Sequence, residues 1–203
     1  MWSYEKQLQY PIRIKNTNPR LAQAIISQYG GPDGELGASL RYLSQRYSMP
    51  WDDARGALTD IATEELGHLE MVGTVVHQLT RNLTPEQAVA GGFDAYLVDH
   101  TTGVYPQAAA GFPWNAAGMQ VKGDPITDLH EDMAAEMKAR TTYDNILRIS
   151  DDPDVNDVIR FLRAREIVHY QRFGELLCRA QQRLDEKNFF AYNPAFDRTA
   201  KKS

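Results

Sequence analysis

The chain has 203 residues, of which 42% are hydrophobic and 24% charged, with a formal net charge of −5. These proportions describe a globular chain long enough to bury a core, and the acidic balance argues against nucleic acid or an anionic membrane as its main partner. Cys178 is the only cysteine, which excludes an intrachain disulfide and a thiolate zinc cluster, and no apolar run reaches membrane-spanning length.

Residues 1–18 read as an irregular or extended arm. Pro11 and the alternation of Tyr10, Ile12 and Ile14 discourage a helix there. The opening MWSYEKQLQYP has early charges and no apolar stretch, so no secretory signal is expected and synthesis is expected in the cytoplasm. Asn18 followed by Pro19 predicts a capped helix to about Tyr29, broken by GGPDG at 30–34. Asp33 can cap the next helix, which carries Glu35 and runs through Tyr47 to a stop at Met49-Pro50. Asp52 or Asp53 begins a long helix to about Arg81. Its inward stripe is Leu58, Ile61, Glu65, His68, Val72, Val75 and Leu79, alternating threes and fours.

From Asn82 to Asp124 the helical pattern dissolves. Thr84 with Pro85, Glu86 and Gln87 suggests one short helix that Gly91-Gly92 stops. The remainder is rich in glycine and proline, and a segment of this length suits the crossover between helices two and three of a bundle. Phe93, Tyr96, Tyr105, Phe112 and Trp114 should pin it to the bundle or to a neighbouring subunit. Asp124-Pro125 opens the third helix, which runs to about Ser150. Its inward stripe is Leu129, Met133, Glu136, Tyr143 and Leu147, with Arg140 near the edge. After a turn at 151–153, Asp152 or Asp154 caps the fourth helix, whose stripe is Val155, Ile159, Leu162, Glu166, His169, Phe173 and Leu176. The tail 188–203 contains Phe189, Phe190, Tyr192 and Phe196, too aromatic for a solvated linker, and is expected to pack back or join an interface. The whole reads as one domain, all-α: a ferritin-like four-helix bundle with a long crossover.

Two polar residues interrupt the apolar stripe of helix two, and two interrupt helix four at the same spacing. Glu65 and His68 are three residues apart, as are Glu166 and His169. A three-residue step turns about 300°, so each pair shares a helix face. Glu35 precedes Glu65 by 30 residues and Glu136 precedes Glu166 by 30, so an offset of 101 relates the two halves. A buried carboxylate or imidazole is costly without a partner, and a metal satisfies both. Four carboxylates and two imidazoles on four helices are the inventory of di-iron and di-manganese carboxylate proteins. The donors suit manganese or iron, and the lack of thiolates sets the site apart from zinc clusters. One Glu-x-x-His is a weak signal. Two of them, each with a glutamate at the same distance upstream, are a strong one.

Other residues carry blander readings. Glu64 lies about 100° from Glu65 on the helix and reads as solvated or salt-bridged, and Glu70 as surface. His77, His100 and His130 read as structural or exposed. Tyr42, on the same face as Glu35, can hydrogen-bond a ligand carboxylate or simply fill the core. Arg140 and Arg163 can neutralise the site or form surface pairs.

The stretches GGPDGELGASLRYLSQRY, TDIATEELGHLEMVGTVV, DMAAEMKAR and RFLRAREIVHYQRF closely resemble manganese catalases. The opening MWSYEKQLQYP and the modest length resemble the family's small spore-coat members, the CotJC group. The resemblance implies hydrogen peroxide as substrate, with two manganese ions per chain. Glu35 and His68 would terminate one ion, Glu136 and His169 the other, and Glu65 would bridge them. Glu166 would move protons and Tyr42 would hydrogen-bond near the bridging carboxylate. It also implies a homo-oligomer, a hexamer being favoured, and a spore-coat location with other coat proteins as partners. Two departures from the family are expected: Ala135 occupies a position where family members can carry arginine, and most of a longer C-terminal extension is expected to be lacking. Two other readings compete: a di-iron peroxidase or oxidase resembling rubrerythrin, and a structural coat protein with a weakly active centre.

Overall fold

A computed structural model describes residues 3–97 and 103–186. His100 and the aromatic tail from Asn188 lie outside the described residues. Four helices build the bundle: α3 (Glu35–Gln45), α4 (Asp52–Thr80), α6 (Pro125–Ile149) and α7 (Pro153–Asp185). Two short helices, α1 (Pro19–Ile25) and α2 (Ser27–Gly30), lead into α3, and α5 (Pro85–Ala90) lies in the crossover. Among the described residues there is no strand, only the isolated bridges Leu97–Val104 and Gln107–Pro113. α3 runs along α4 and α6 along α7, and the crossover joins the two pairs.

The caps explain most of the boundaries. Asn18 accepts from the Leu21 N–H, Asp124 from Thr127, and Asp152 from Asp154 and Val155, each with proline in the first turn. Thr84 and Gln87 form a reciprocal capping box at α5. The expected cap at Asp33 is not made. Gly34 takes the cap position in extended conformation, while Asp33 pairs with Lys138 of α6 at 2.9 Å. The chain is too tight there for a side chain: a Cβ on Gly34 would lie 2.7 Å from the Ser27 carbonyl oxygen. α3 also stops at Gln45, short of the expected Tyr47.

The stripes of α4 and α7 are buried as expected. That of α6 is rotated slightly. Met133 and Leu147 are only partly buried, whereas Asp132, Ala135, Ala139 and Ile146 face inward. The apolar positions of this helix are sparse, so sequence periodicity marks its inner face poorly. In the crossover, Phe93 and Tyr96 are buried and Trp114 is partly buried, but Tyr105 and Phe112 are exposed. The N-terminal arm is irregular, as expected, and docks on α4: Ile12 and Ile14 are buried, and Gln78 donates to the Ile12 carbonyl and accepts from the Ile14 N–H.

The core falls into two apolar clusters. One gathers Leu21, Ile25, Met71, Val75, Tyr143 and Leu162, among others. The second gathers Tyr42, Leu58, Ile61, Leu129 and Phe173. Along α4 the break falls between Ala62 and Met71, and along α7 between Leu162 and Phe173. The polar positions of both Glu-x-x-His pairs occupy that gap.

Candidate metal centre

Six side chains from four helices meet in this polar layer. Glu35, Glu65, His68, Glu136, Glu166 and His169 are all buried. Glu65 sits at the middle: its Oε2 is 2.7 Å from His68 Nδ1 and its Oε1 is 2.7 Å from His169 Nδ1. Glu35 Oε2 and Glu166 Oε1 each lie 4.0 Å from His68 Nδ1, and Glu136 Oε2 lies 3.5 Å from His169 Nδ1. Glu65, His68, Glu166 and His169 each offer a ligand atom within 4.8 Å of the others. The structure therefore brings the four glutamates and two histidines singled out from sequence into one layer, and both imidazoles turn Nδ1 inward.

Two tyrosines brace the layer, and each crosses to the opposite half. Tyr42 of α3 donates its hydroxyl to Glu136 of α6, and Tyr143 of α6 donates to Glu35 of α3. Tyr42 thus bonds an outer carboxylate and not the central Glu65. The sequence reading placed Tyr143 only in the apolar stripe. Its signal was present: Tyr143 follows Tyr42 by the same 101 residues that relate the two halves. Asp132, one turn before Glu136, was also missed. It is buried and accepts from Gln45 Nε2 at 2.7 Å.

The other candidates fall away from the centre. Arg140 and Arg163 both pair with Asp144, at 2.5 Å each, which is the surface-pair reading. His77 and His130 are exposed. Glu70 accepts from the Tyr4 hydroxyl at 2.6 Å. Glu64 is salt-bridged, as expected, but its carboxylate also turns toward both histidines.

The electrostatics are those of a centre short of positive charge. Burial pushes the carboxyls of Glu35, Glu136 and Glu166 above the usual range, and the neighbouring Glu65 charge adds to the effect. Burial alone would raise Glu65 too, but the two imidazoles hold it well below that range. Burial disfavours charge on the imidazoles, yet the surrounding carboxylates, Glu65 foremost, raise His68 to about 10 and His169 to about 12. Glu65 Oε1, Glu136 Oε2, Glu166 Oε1 and His169 Nδ1 are buried without an aligned hydrogen-bond partner. A site that draws protons this strongly and leaves oxygen and nitrogen lone pairs converging fits divalent cations. Two of them would neutralise four carboxylates.

The family profile "Manganese containing catalase" matches residues 1–192. The chain belongs to the manganese catalase family. It is 53% identical over 190 residues to Protein CotJC of Bacillus subtilis, covering 94% of this chain and all of that one. It is 31% identical to a probable manganese catalase of Clostridium acetobutylicum, covering 93% of this chain and 85% of the relative. The crystal structure of KatB, a manganese catalase from Anabaena, superposes with a TM-score of 0.79 at 32% identity, over 93% of this chain and 81% of KatB. The ferritin-like helical fold expected from sequence is thus the fold of this manganese catalase family member.

Proposed function

We propose that this chain is a dinuclear manganese catalase that disproportionates hydrogen peroxide to water and dioxygen. The observation that carries the reading is the buried layer of four carboxylates and two imidazoles in a member of the manganese catalase family. Glu35 and His68 would hold one manganese, Glu136 and His169 the other, and Glu65, central to both imidazoles, would bridge them. Bound there, the two ions would supply the two-electron exchange that peroxide chemistry requires.

One peroxide takes up two electrons and two protons and leaves as two waters. A second gives up two electrons and two protons and leaves as dioxygen. The chain's part is to position, exclude water and carry protons. Glu166 is the residue we assign to the proton work. It lies in the layer, and burial beside the charges of Glu65, Glu35 and Glu136 favours its protonated form. Tyr42 and Tyr143 fix the outer carboxylates by donating to Glu136 and Glu35.

The likeness to CotJC supports a spore-coat location, with other coat proteins as partners, and we expect a homo-oligomer, a hexamer being favoured. We also propose that residues 1–203 act as one domain. The test is metal content per chain on protein produced with both manganese and iron available, with oxygen evolution from peroxide measured on the same sample. Two manganese with oxygen release is the expected result. Two irons without oxygen release would replace the reading with a di-iron peroxidase or oxidase, since these donors accept either metal. Metal without turnover would leave a structural coat protein.

A further inference from the structure

We infer that Glu64 is a positioning residue that holds the outer edges of both histidines at once. The inference rests on the dinuclear reading of the centre. The Glu64 side chain is 16% exposed, and its Oε2 lies 3.1 Å from His169 Nε2 while its Oε1 lies 3.6 Å from His68 Nε2. Both Nε2 atoms are buried and lack an aligned hydrogen-bond partner. The two rings are stacked, with centroids 5.6 Å apart and planes 26° from parallel, so a single carboxylate can span them with one oxygen each.

The chemistry of the inner edge sets the requirement at the outer one. A histidine that offers Nδ1 to a cation carries its remaining proton on Nε2, and a buried N–H needs an acceptor. Glu64 turns one oxygen toward each ring, nearer to His169 than to His68, and so favours the same tautomer in both. Its own orientation is fixed by Arg165, which donates from Nε to Oε1 at 2.6 Å and from Nη2 to Oε2 at 3.2 Å. Gln9 of the N-terminal arm adds a donor to Oε1 at 2.9 Å. Glu64 and Arg165 are 101 residues apart, the offset that relates the two halves of the centre. At equivalent positions one half carries an acid and the other a base. The duplication has become a salt bridge whose acid serves both histidines.

The alternative is a partly exposed ion pair in which Glu64 serves only Arg165. The full-length protein separates the two through Glu64→Gln and Arg165→Gln, each stripped with chelator and titrated with manganese(II) by calorimetry. The dimanganese(II) electron paramagnetic resonance signal and the melting temperature of the stripped protein are recorded in parallel. A positioning role predicts manganese affinity weakened about 10–100-fold in Glu64→Gln, with altered exchange splitting. The stripped melting temperature should stay near that of the wild type, and Arg165→Gln should show a smaller loss of affinity. Affinity within twofold of wild type in Glu64→Gln, or matched losses in the two variants, overturns the inference. If Glu64→Gln is poorly folded, Gln9→Ala takes its place, with a smaller loss of affinity expected and an unchanged titration overturning the inference. Wild-type protein that takes up no pair of manganese ions overturns the dinuclear reading and this inference with it. Wild type with two ions and an unaffected Glu64→Gln overturns this inference alone.

Discussion

Glu166 and Tyr143 carry the sharpest expectations at the scale of single residues. Glu166 is packed against other carboxylates, and burial together with their charge favours its protonated form. A carboxyl with a raised proton affinity beside the proposed metal centre suits acid–base work. Glu166→Gln keeps the shape and removes the proposed proton carrier. It should retain two metals per chain by elemental analysis and lower oxygen evolution by about 100-fold or more. Unchanged turnover would remove the assigned role. Tyr143→Phe deletes only the hydroxyl that donates to Glu35. The buried Glu35 carboxylate then loses a donor, which should cost about 1–3 kcal/mol in urea unfolding of metal-free protein. The duplication predicts a similar loss for Tyr42→Phe, whose hydroxyl serves Glu136. Unequal losses would show that the two halves of the centre have diverged in function.

Among the elements, the segmented approach to the first bundle helix decides how the crossover docks. α2 ends at Gly30, where an added Cβ would lie 2.1 Å from the Gln107 nitrogen and 2.2 Å from the Pro106 carbonyl carbon. Both are backbone atoms, so no rotamer change relieves the clash. Gly30→Ala should therefore destabilise the fold by about 2–4 kcal/mol, read as a lower melting temperature, through displacement of the crossover. Arg41 secures the same crossover further along. It is buried in α3, and donates from Nε to the Met119 carbonyl at 2.7 Å and from Nη2 to that of Gly118 at 3.2 Å. The sequence pattern gave no sign of either contact, because both join segments far apart in the chain. Helix starts marked by Asn18, Thr84, Asp124 and Asp152 were legible, since a cap acts on backbone groups two or three residues away. Asp33 failed as a cap because its tertiary partner Lys138 and the tight turn at Gly34 override the local preference.

On the scale of the whole molecule, the centre is a charged layer between two apolar clusters. Four carboxylates in a dry interior oppose folding unless cations or protons balance them. Metal should therefore stabilise the protein strongly. At free manganese about 100 times the dissociation constant, each site adds about 2.7 kcal/mol, so chelation should lower the melting temperature by several degrees. The imidazoles, raised to about 10 and about 12, hold protons at the nitrogens a cation needs. Protons and metal compete there, so apparent affinity should fall as pH falls, and binding should release protons into a weakly buffered solution. The metal-free protein should run the other way. A raised histidine pKa contributes stability that is fully present below the unfolded value of about 6.5 and is lost as pH rises toward 10 to 12. Calorimetric melts with and without manganese across pH 6 to 9 check both signs. A melting temperature indifferent to manganese would contradict the metal-centre reading.

The four helices, the crossover and the six polar positions of the layer are legible along the chain. Those features follow from local rules, a helical period and a repeated spacing along one chain, which need no knowledge of what lies across the bundle. Which groups meet depends on how the helices pack. That packing put Tyr143 on Glu35 and Tyr42 on Glu136, turned both Nδ1 atoms toward Glu65, and set the half-exposed-looking Glu64 against two buried Nε2 atoms. A helical wheel places Glu64 about 100° from Glu65 and so off the inner face. Glu64 meets His68 one turn along its own helix, but it meets His169 and Arg165 only because α7 presents them from the opposite side, and the position of a neighbouring helix is not written in the period of either one.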